Sequence, residues 1–159
     1  VLYFSRRNEM KISTKGRYAL RLMIDLAQHK SEDAWIPLKD ISRRQGVSVK
    51  YLEQIIHGLT TSGMVSGLRG PTGGYRLTQD TNTCTAGDIL RAIEGNLAPV
   101  TCLESSPNHC DRYATCPAVK FWEGLHKTII AYVVAITLAD LAKDAAAFDP
   151  KNFTCMHKT

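Results

Sequence analysis

Cys102, Cys110 and Cys116 fall within fifteen residues of a 159-residue chain that holds five cysteines in all. At that composition a window of this length would hold about half a cysteine, so chance does not account for the grouping. Thiolates are soft ligands that select iron–sulfur clusters, zinc or copper. Structural zinc favours cysteine pairs two to four residues apart. Here seven and five residues separate successive cysteines, a spacing better suited to an iron–sulfur cluster wrapped by a loop, with zinc or a bare redox thiol as the competing chemistry. A fourth ligand is expected from His109, beside Cys110; His126, Glu104, Asp111 or a side chain of a second subunit are the alternatives. Cys84 precedes a helix start where an aliphatic residue would also fit, and reads as core packing. Cys155 reads as incidental.

The elements around this loop can be placed from periodicity. From Thr14 to about His29 the apolar residues Tyr18, Leu22 and Leu26 recur every fourth position, with Ala19, Met23 and Ala27 beside them, which predicts an amphipathic helix capped by Ser13 or Thr14. Trp35-Ile36 fits a short strand. Pro37 opens a second helix, Leu38 to about Gln45, stopped by Gly46. Ser48 caps a third, whose stripe of Leu52, Ile55, Ile56 and Leu59 leaves Lys50, Glu53, Gln54 and His57 facing outward. Two short helices joined by a tight glycine turn form a helix-turn-helix. Two β segments follow, Met64 to Arg69 and Tyr75 to Thr78. The glycine- and proline-rich loop between them makes a hairpin, a wing with Arg69 and Arg76 at its shoulders. Thr85-Ala86-Gly87-Asp88 has the form of a capping box for a helix ending at Gly95.

Beyond the cysteine loop, Pro117 is expected to start a long helix. Its apolar run Ile129 to Ile136 is far too short to span a bilayer and reads as buried helix. Trp122, Leu125, Ile129, Tyr132, Val133 and Ile136 describe a seam, with Phe121 and Trp122 as packing residues. Such a seam is too apolar to face water, and a second copy in a symmetric homodimer is the simplest cover.

Charge agrees with this division. Residues 1–80 carry thirteen Lys/Arg against seven Asp/Glu, and residues 81–159 carry seven against eight. The positive excess lies wholly in the first half, as expected of a surface that meets phosphate. Val1-Leu2-Tyr3-Phe4 is followed by charge and does not read as a secretory leader, so a reducing cytoplasm and free thiols are expected. No membrane association is expected. The fold class expected is α+β, mostly helical: residues 1–9 an extension before Met10, 10–80 a winged helix-turn-helix, 81–116 a connecting helix and the cysteine loop, 117–143 a dimerisation helix and a short helix, 144–159 a polar tail.

Several stretches resemble the Rrf family of winged-helix regulators, which contains IscR, NsrR and CymR. They are Met10-Lys11-Ile12-Ser13-Thr14-Lys15-Gly16-Arg17-Tyr18-Ala19, Tyr51-Leu52-Glu53-Gln54, Arg69-Gly70-Pro71-Thr72-Gly73-Gly74-Tyr75, Ala86-Gly87-Asp88-Ile89 and Ile136-Thr137-Leu138-Ala139-Asp140-Leu141. The pieces keep their order from about residue 10 to 142. The cysteine triad sets the chain apart from CymR-like members and nearest to IscR-type ones. The resemblance implies a transcription regulator, a repressor rather than an enzyme, that binds a double-stranded DNA operator under the control of an iron–sulfur cluster, taken as 2Fe–2S, on Cys102, Cys110 and Cys116. It also implies that the third helix enters the major groove with Glu53 reading bases, and that the wing residues Arg69, Gly70, Pro71 and Gly73 reach the minor groove. Ser48, Lys50, Tyr51 and Gln54 are then base or phosphate contacts, and Lys15 and Arg17 backbone contacts. The chain departs from the IscR-type pattern at Val119, which stands where that pattern has a histidine. The alternative is a cluster-free regulator controlled by a partner protein, a metabolite or thiol oxidation.

Overall fold

The computed structural model describes residues 12–31, 35–105 and 108–148. The proposed extension 1–9 and Cys155 lie outside them. The chain folds as α1 (Thr14–Gln28), α2 (Leu38–Gln45), α3 (Val49–Thr61), β1 (Val65–Leu68), β2 (Gly74–Leu77), α4 (Ala86–Glu94), α5 (Val119–Ala135) and α6 (Leu138–Ala147), with 3-10 turns at Thr101–Leu103 and Tyr113–Thr115. Three helices followed by a two-stranded hairpin make the winged helix-turn-helix that the periodicity predicts.

Each start and stop has a local cause. The Ser13 hydroxyl accepts from Gly16 N–H and caps α1, and Ser48 does the same for α3 from Tyr51 N–H. Gly46, at φ 63°, ends α2 in the left-handed region open to glycine without strain. Ser42 then closes the turn: its hydroxyl donates to Val47 O at 2.6 Å and its carbonyl accepts from Val47 N–H at 3.2 Å. Thr85 with Asp88, and Thr137 with Asp140, form reciprocal capping boxes at α4 and α6.

One core joins these elements. Ala19, Leu22, Met23 and Leu26 of α1 meet Ile41 of α2, the α3 stripe Leu52, Ile55, Ile56 and Leu59, Val65 of β1, and Cys84, Ile89 and Leu138 from further along the chain. Cys84 is 1% exposed, as its reading as core packing requires. Leu138 N–H donates to Cys84 O at 2.8 Å and Ala86 N–H to Ile136 O at 2.9 Å, so the start of α6 is laced to the start of α4. The wing pairs antiparallel with Val65 opposite Leu77 and Leu68 opposite Gly74.

Four features differ from the sequence expectations. Trp35-Ile36 contributes a single bridge, Ile36 to Tyr75, rather than a strand. The long helix begins at Val119, with Pro117 and Ala118 in the turn before it. α6 continues through Asp144 to Ala147, because Ala145, Ala146 and Ala147 are the best of helix formers. Contrary to the reading of 129–136 as buried, α5 buries no residue within the chain. Phe121, read as packing, is 64% exposed and meets Trp122 edge-on at 4.9 Å between ring centres; within the chain the helix packs against α4.

Candidate DNA-reading surface and cysteine loop

Lys50, Glu53, Gln54 and His57 recur at three and four residues along α3, so they share one helix face. All four are exposed, and the opposite face is the core stripe. Ser48 is exposed but committed to its cap, with Tyr51 N–H 3.3 Å from its hydroxyl oxygen. Tyr51 is half-buried and stands edge-on against Tyr18, ring centres 5.7 Å apart. Arg21 lies over the Tyr18 ring, 4.9 Å from its centre, and donates to Gln45 at 2.8 Å through Nε. At the start of α1, Lys15 and Arg17 are both exposed, with Arg17 donating to Thr14 Oγ1 at 3.2 Å.

The wing is held open by its base. Ile36 and Tyr75 exchange two backbone hydrogen bonds of 3.0 and 2.9 Å. A Cβ at Gly74 would lie 2.5 Å from the Ile36 backbone, so the approach of β2 to residue 36 requires a glycine there. Arg76 does not reach outward as a free shoulder: its guanidinium stacks on Trp35 at 4.3 Å and braces the hairpin. Arg69, Gly70 and Pro71 at the tip are exposed, and the half-buried Gly73 donates to Gly70 O at 3.0 Å.

Sequence reasoning missed the group that sets α2 against α1. Asp25 is 2% exposed, on the apolar face of α1. Its carboxylate accepts from Arg44 Nε at 3.0 and 3.2 Å, from Arg44 NH2 at 2.5 Å and from Gln45 Nε2 at 3.1 Å. The hydrogen bond to Asp25 is the largest cause that raises the Arg44 guanidinium above its ordinary pKa. His29 Nδ1 lies 2.8 Å from the Asp25 backbone carbonyl. The last turn of α2, from which the helix-turn-helix bends, is thus bolted to α1. An aspartate between Leu22, Met23 and Leu26 on a buried face was the available signal, because a buried carboxylate demands partners.

The cysteine loop is organised by asparagines. Asn96 accepts from Ala98 N–H at 2.6 Å and donates to Glu104 O at 2.7 Å. Asn108 donates to the Cys102 carbonyl and accepts from Cys110 N–H at 2.8 Å, bracketing two of the three cysteines. Cys102 lies in the first 3-10 turn and Cys116 ends the second. All three thiols are free and half-buried, and His109 is exposed beside them. Tyr113 donates to Glu123 of α5; that hydrogen bond is the main cause of its raised phenol pKa and ties the loop to the long helix. Among the described residues no three His, Cys, Asp or Glu side chains are gathered closely enough to hold a metal ion. By donor type the three cysteines suit a thiolate-bound centre, and a centre bound by all three would have to draw them together. No helix among the described residues is long and apolar enough to cross a membrane.

Comparison with known proteins covers almost the same span. Residues 12–144 match the Rrf2 family, described as an iron-dependent transcriptional regulator. The protein rrf2 of Nitratidesulfovibrio vulgaris (strain Hildenborough) is 40% identical over 143 residues, which cover 90% of this chain and 93% of that protein. The transcriptional regulator IscR of Photobacterium profundum is 38% identical over 135 residues, 85% of this chain and 77% of its own length. Among solved structures, T. potens IscR superimposes with a TM-score of 0.66 at 35% identity, covering 91% of this chain and 92% of its own. CymR, the global cysteine regulator of B. subtilis, does so with a TM-score of 0.65 at 35% identity, covering 87% of this chain and 98% of its own. These relatives are transcription regulators, not enzymes.

Proposed function

Starting from a chain that belongs to the Rrf2 family of winged-helix transcription regulators, whose members bind DNA, we propose that it is a homodimeric, sequence-specific repressor whose operator binding is modulated by an iron–sulfur cluster. The observation that carries this reading is the placement of three free, half-buried thiols in one bracketed loop. That loop joins α4, which packs on α1, to α5, whose apolar side is open.

The DNA half acts through its exposed face. α3 lies in the major groove, where Glu53 accepts from cytosine N4 and so reads a base; without such a partner a carboxylate near phosphate is repelled. Lys50 and Gln54 flank it on the same face. Arg69 at the wing tip enters the neighbouring minor groove, with Gly70, Pro71 and Gly73 shaping the approach. Lys15 and Arg17 contact the phosphate backbone, and half-sites lie about one DNA turn or a multiple apart.

In the sensing half, Cys102, Cys110 and Cys116 hold the cluster, of 2Fe–2S type, with His109 as fourth ligand. When bound, it supplies a redox-sensitive soft-metal centre whose presence depends on iron and sulfide supply. The chain's own residues do the rest. Asn108 keeps Cys102 and Cys110 in one bracket, and Tyr113 with Glu123 fastens the loop to α5. A second copy covers Phe121, Tyr132 and Val134, which are 64%, 69% and 44% exposed in the single chain. Drawing the three thiols together then alters the tilt of α5 and the spacing of the two α3 helices, a two-state equilibrium biased by a ligand.

Anaerobic purification with a visible spectrum and iron and acid-labile sulfide analysis tests this. A brown protein with matching iron and sulfide supports the cluster sensor, and an unchanged spectrum in His109→Ala removes that ligand. A colourless protein after reconstitution overturns the cluster. It favours regulation by a partner protein, a metabolite or thiol oxidation, a reading supported by the likeness to CymR.

A further inference from the structure

The last residue of α4, Glu94, reaches back across the fold to the first turn of α1. Its Oε1 accepts from Ser13 N–H at 3.0 Å and from the Ser13 hydroxyl at 2.7 Å, across 81 residues of sequence. Because the Ser13 proton is spent on Glu94, its oxygen lone pairs face the helix, where Gly16 N–H donates at 3.0 Å. The carboxylate lies so close to Gly16 that a Cβ there would collide with Oε1, so residue 16 is a glycine to let Glu94 in. Lys15 and Arg17, both exposed, flank Gly16. The cap of α1 is therefore a relay, Glu94 to Ser13 to Gly16, rather than a lone serine.

A carboxylate is an odd neighbour for a surface that meets phosphate. By charge alone its removal would tighten DNA binding. Its geometry does the opposite, by fixing the first turn of α1 and hence the direction in which Lys15 and Arg17 leave it. We propose that Glu94 is a positioning residue for DNA backbone recognition, acting through Ser13 on Lys15 and Arg17. The inference rests on the reading of those two side chains as phosphate contacts. Glu94 also stands immediately before Gly95 and the cysteine loop, so the α1 cap and the root of that loop share one side chain.

The test uses the full chain and a fluorescein-labelled mixed-sequence duplex of about 30 base pairs, with affinity followed between about 50 and 200 mM salt. Glu94→Gln keeps both acceptor contacts and loses the charge; its salt dependence should match the parent. Glu94→Ala loses the contacts and the same charge, and should bind about fivefold more weakly, with a salt slope smaller by about 1 per subunit. Glu94→Asp keeps the charge but is one methylene too short, and should behave as Glu94→Ala. If Glu94→Ala does not fold, the Gln and Asp variants carry the same contrast, with thermal melts confirming that both are folded. In a Lys15→Ala/Arg17→Ala background Glu94→Ala should add nothing. If the double variant reduces the slope while Glu94→Ala and Glu94→Asp match Glu94→Gln, the positioning role is overturned and the phosphate contacts stand. If the double variant leaves the slope unchanged, the reading of Lys15 and Arg17 fails, and the inference with it.

Discussion

The winged-helix half and the half formed by the cysteine loop and α5 meet their physical demands in opposite ways. From α1 to the wing, buried polar groups have partners, apolar stripes meet one another, and even the inward aspartate is surrounded by donors. From the cysteine loop through α5, no residue past Pro99 is buried until Leu138 among those described. Among the described residues no three ligating side chains are gathered around a metal position, and large apolar side chains such as Tyr132 face solvent. A chain spends its burial where geometry must be rigid before any ligand arrives. It leaves less burial in the cysteine loop and α5, as segments of low local stability do in general.

The comparison breaks most visibly at Asp25. Asp25→Ala strands the Arg44 guanidinium and the Gln45 amide, and should cost about 3 kcal/mol in urea unfolding; a loss below about 1 kcal/mol would mean the bolt between α1 and α2 is idle. At the reading surface, Arg69→Ala should leave stability unchanged and weaken DNA binding by about 2 kcal/mol. Glu53→Ala should relax discrimination between operator variants more than it lowers bulk affinity; equal loss on all sequences would show that Glu53 does not read bases. On the side of the cysteine loop, the proposed homodimer predicts that Tyr132→Glu raises the dissociation constant about tenfold or more in sedimentation, with the melt of the winged helix unmoved. A variant that stays dimeric would send the open face of α5 to another partner.

The smallest effect separates the thiols. Burial, and then the charge of Asp88, push the Cys84 thiol up from its ordinary pKa, so the folded state holds the proton that the unfolded chain gives up first. Stability from this group is complete below the ordinary thiol range and is lost as pH rises through the folded value. The stability gap between the parent and Cys84→Ala should therefore narrow toward about pH 10. Alkylation of the folded protein near neutrality should reach Cys102, Cys110 and Cys116 and spare Cys84. Labelling of Cys84 at a similar rate would mean that the shared core opens.

Local chemistry was readable along the chain because it is local. Ser13, Ser48 and Thr85 announce helix starts by type and spacing, Gly46 announces the turn, and the α3 stripe divides that helix into a buried and an exposed face. The helix-turn-helix and wing followed from those signals, and the resemblance then attached DNA reading to named residues. The cysteine triad was equally visible as a donor set. Its closure was not, since a loop of more than twenty residues has no periodicity from which distances follow.

Tertiary structure alone decided which polar residues became structural. Arg76 and Arg69 look alike as shoulders of a glycine-rich loop, yet one stacks on Trp35 and the other stays exposed at the tip. Asp25 finds Arg44 nineteen residues away, and Glu94 finds Ser13 across eighty-one. The apolar seam of α5 could be written down from spacing, but spacing says only that a face wants cover. Whether the chain supplies that cover itself depends on where the other helices run, and α1, α3 and α4 spend their apolar surface on one another. Periodicity is a property of neighbours along the backbone, and pairing across the fold is a property of packing. The first is written in the sequence of this protein, and the second exists only once the helices have met.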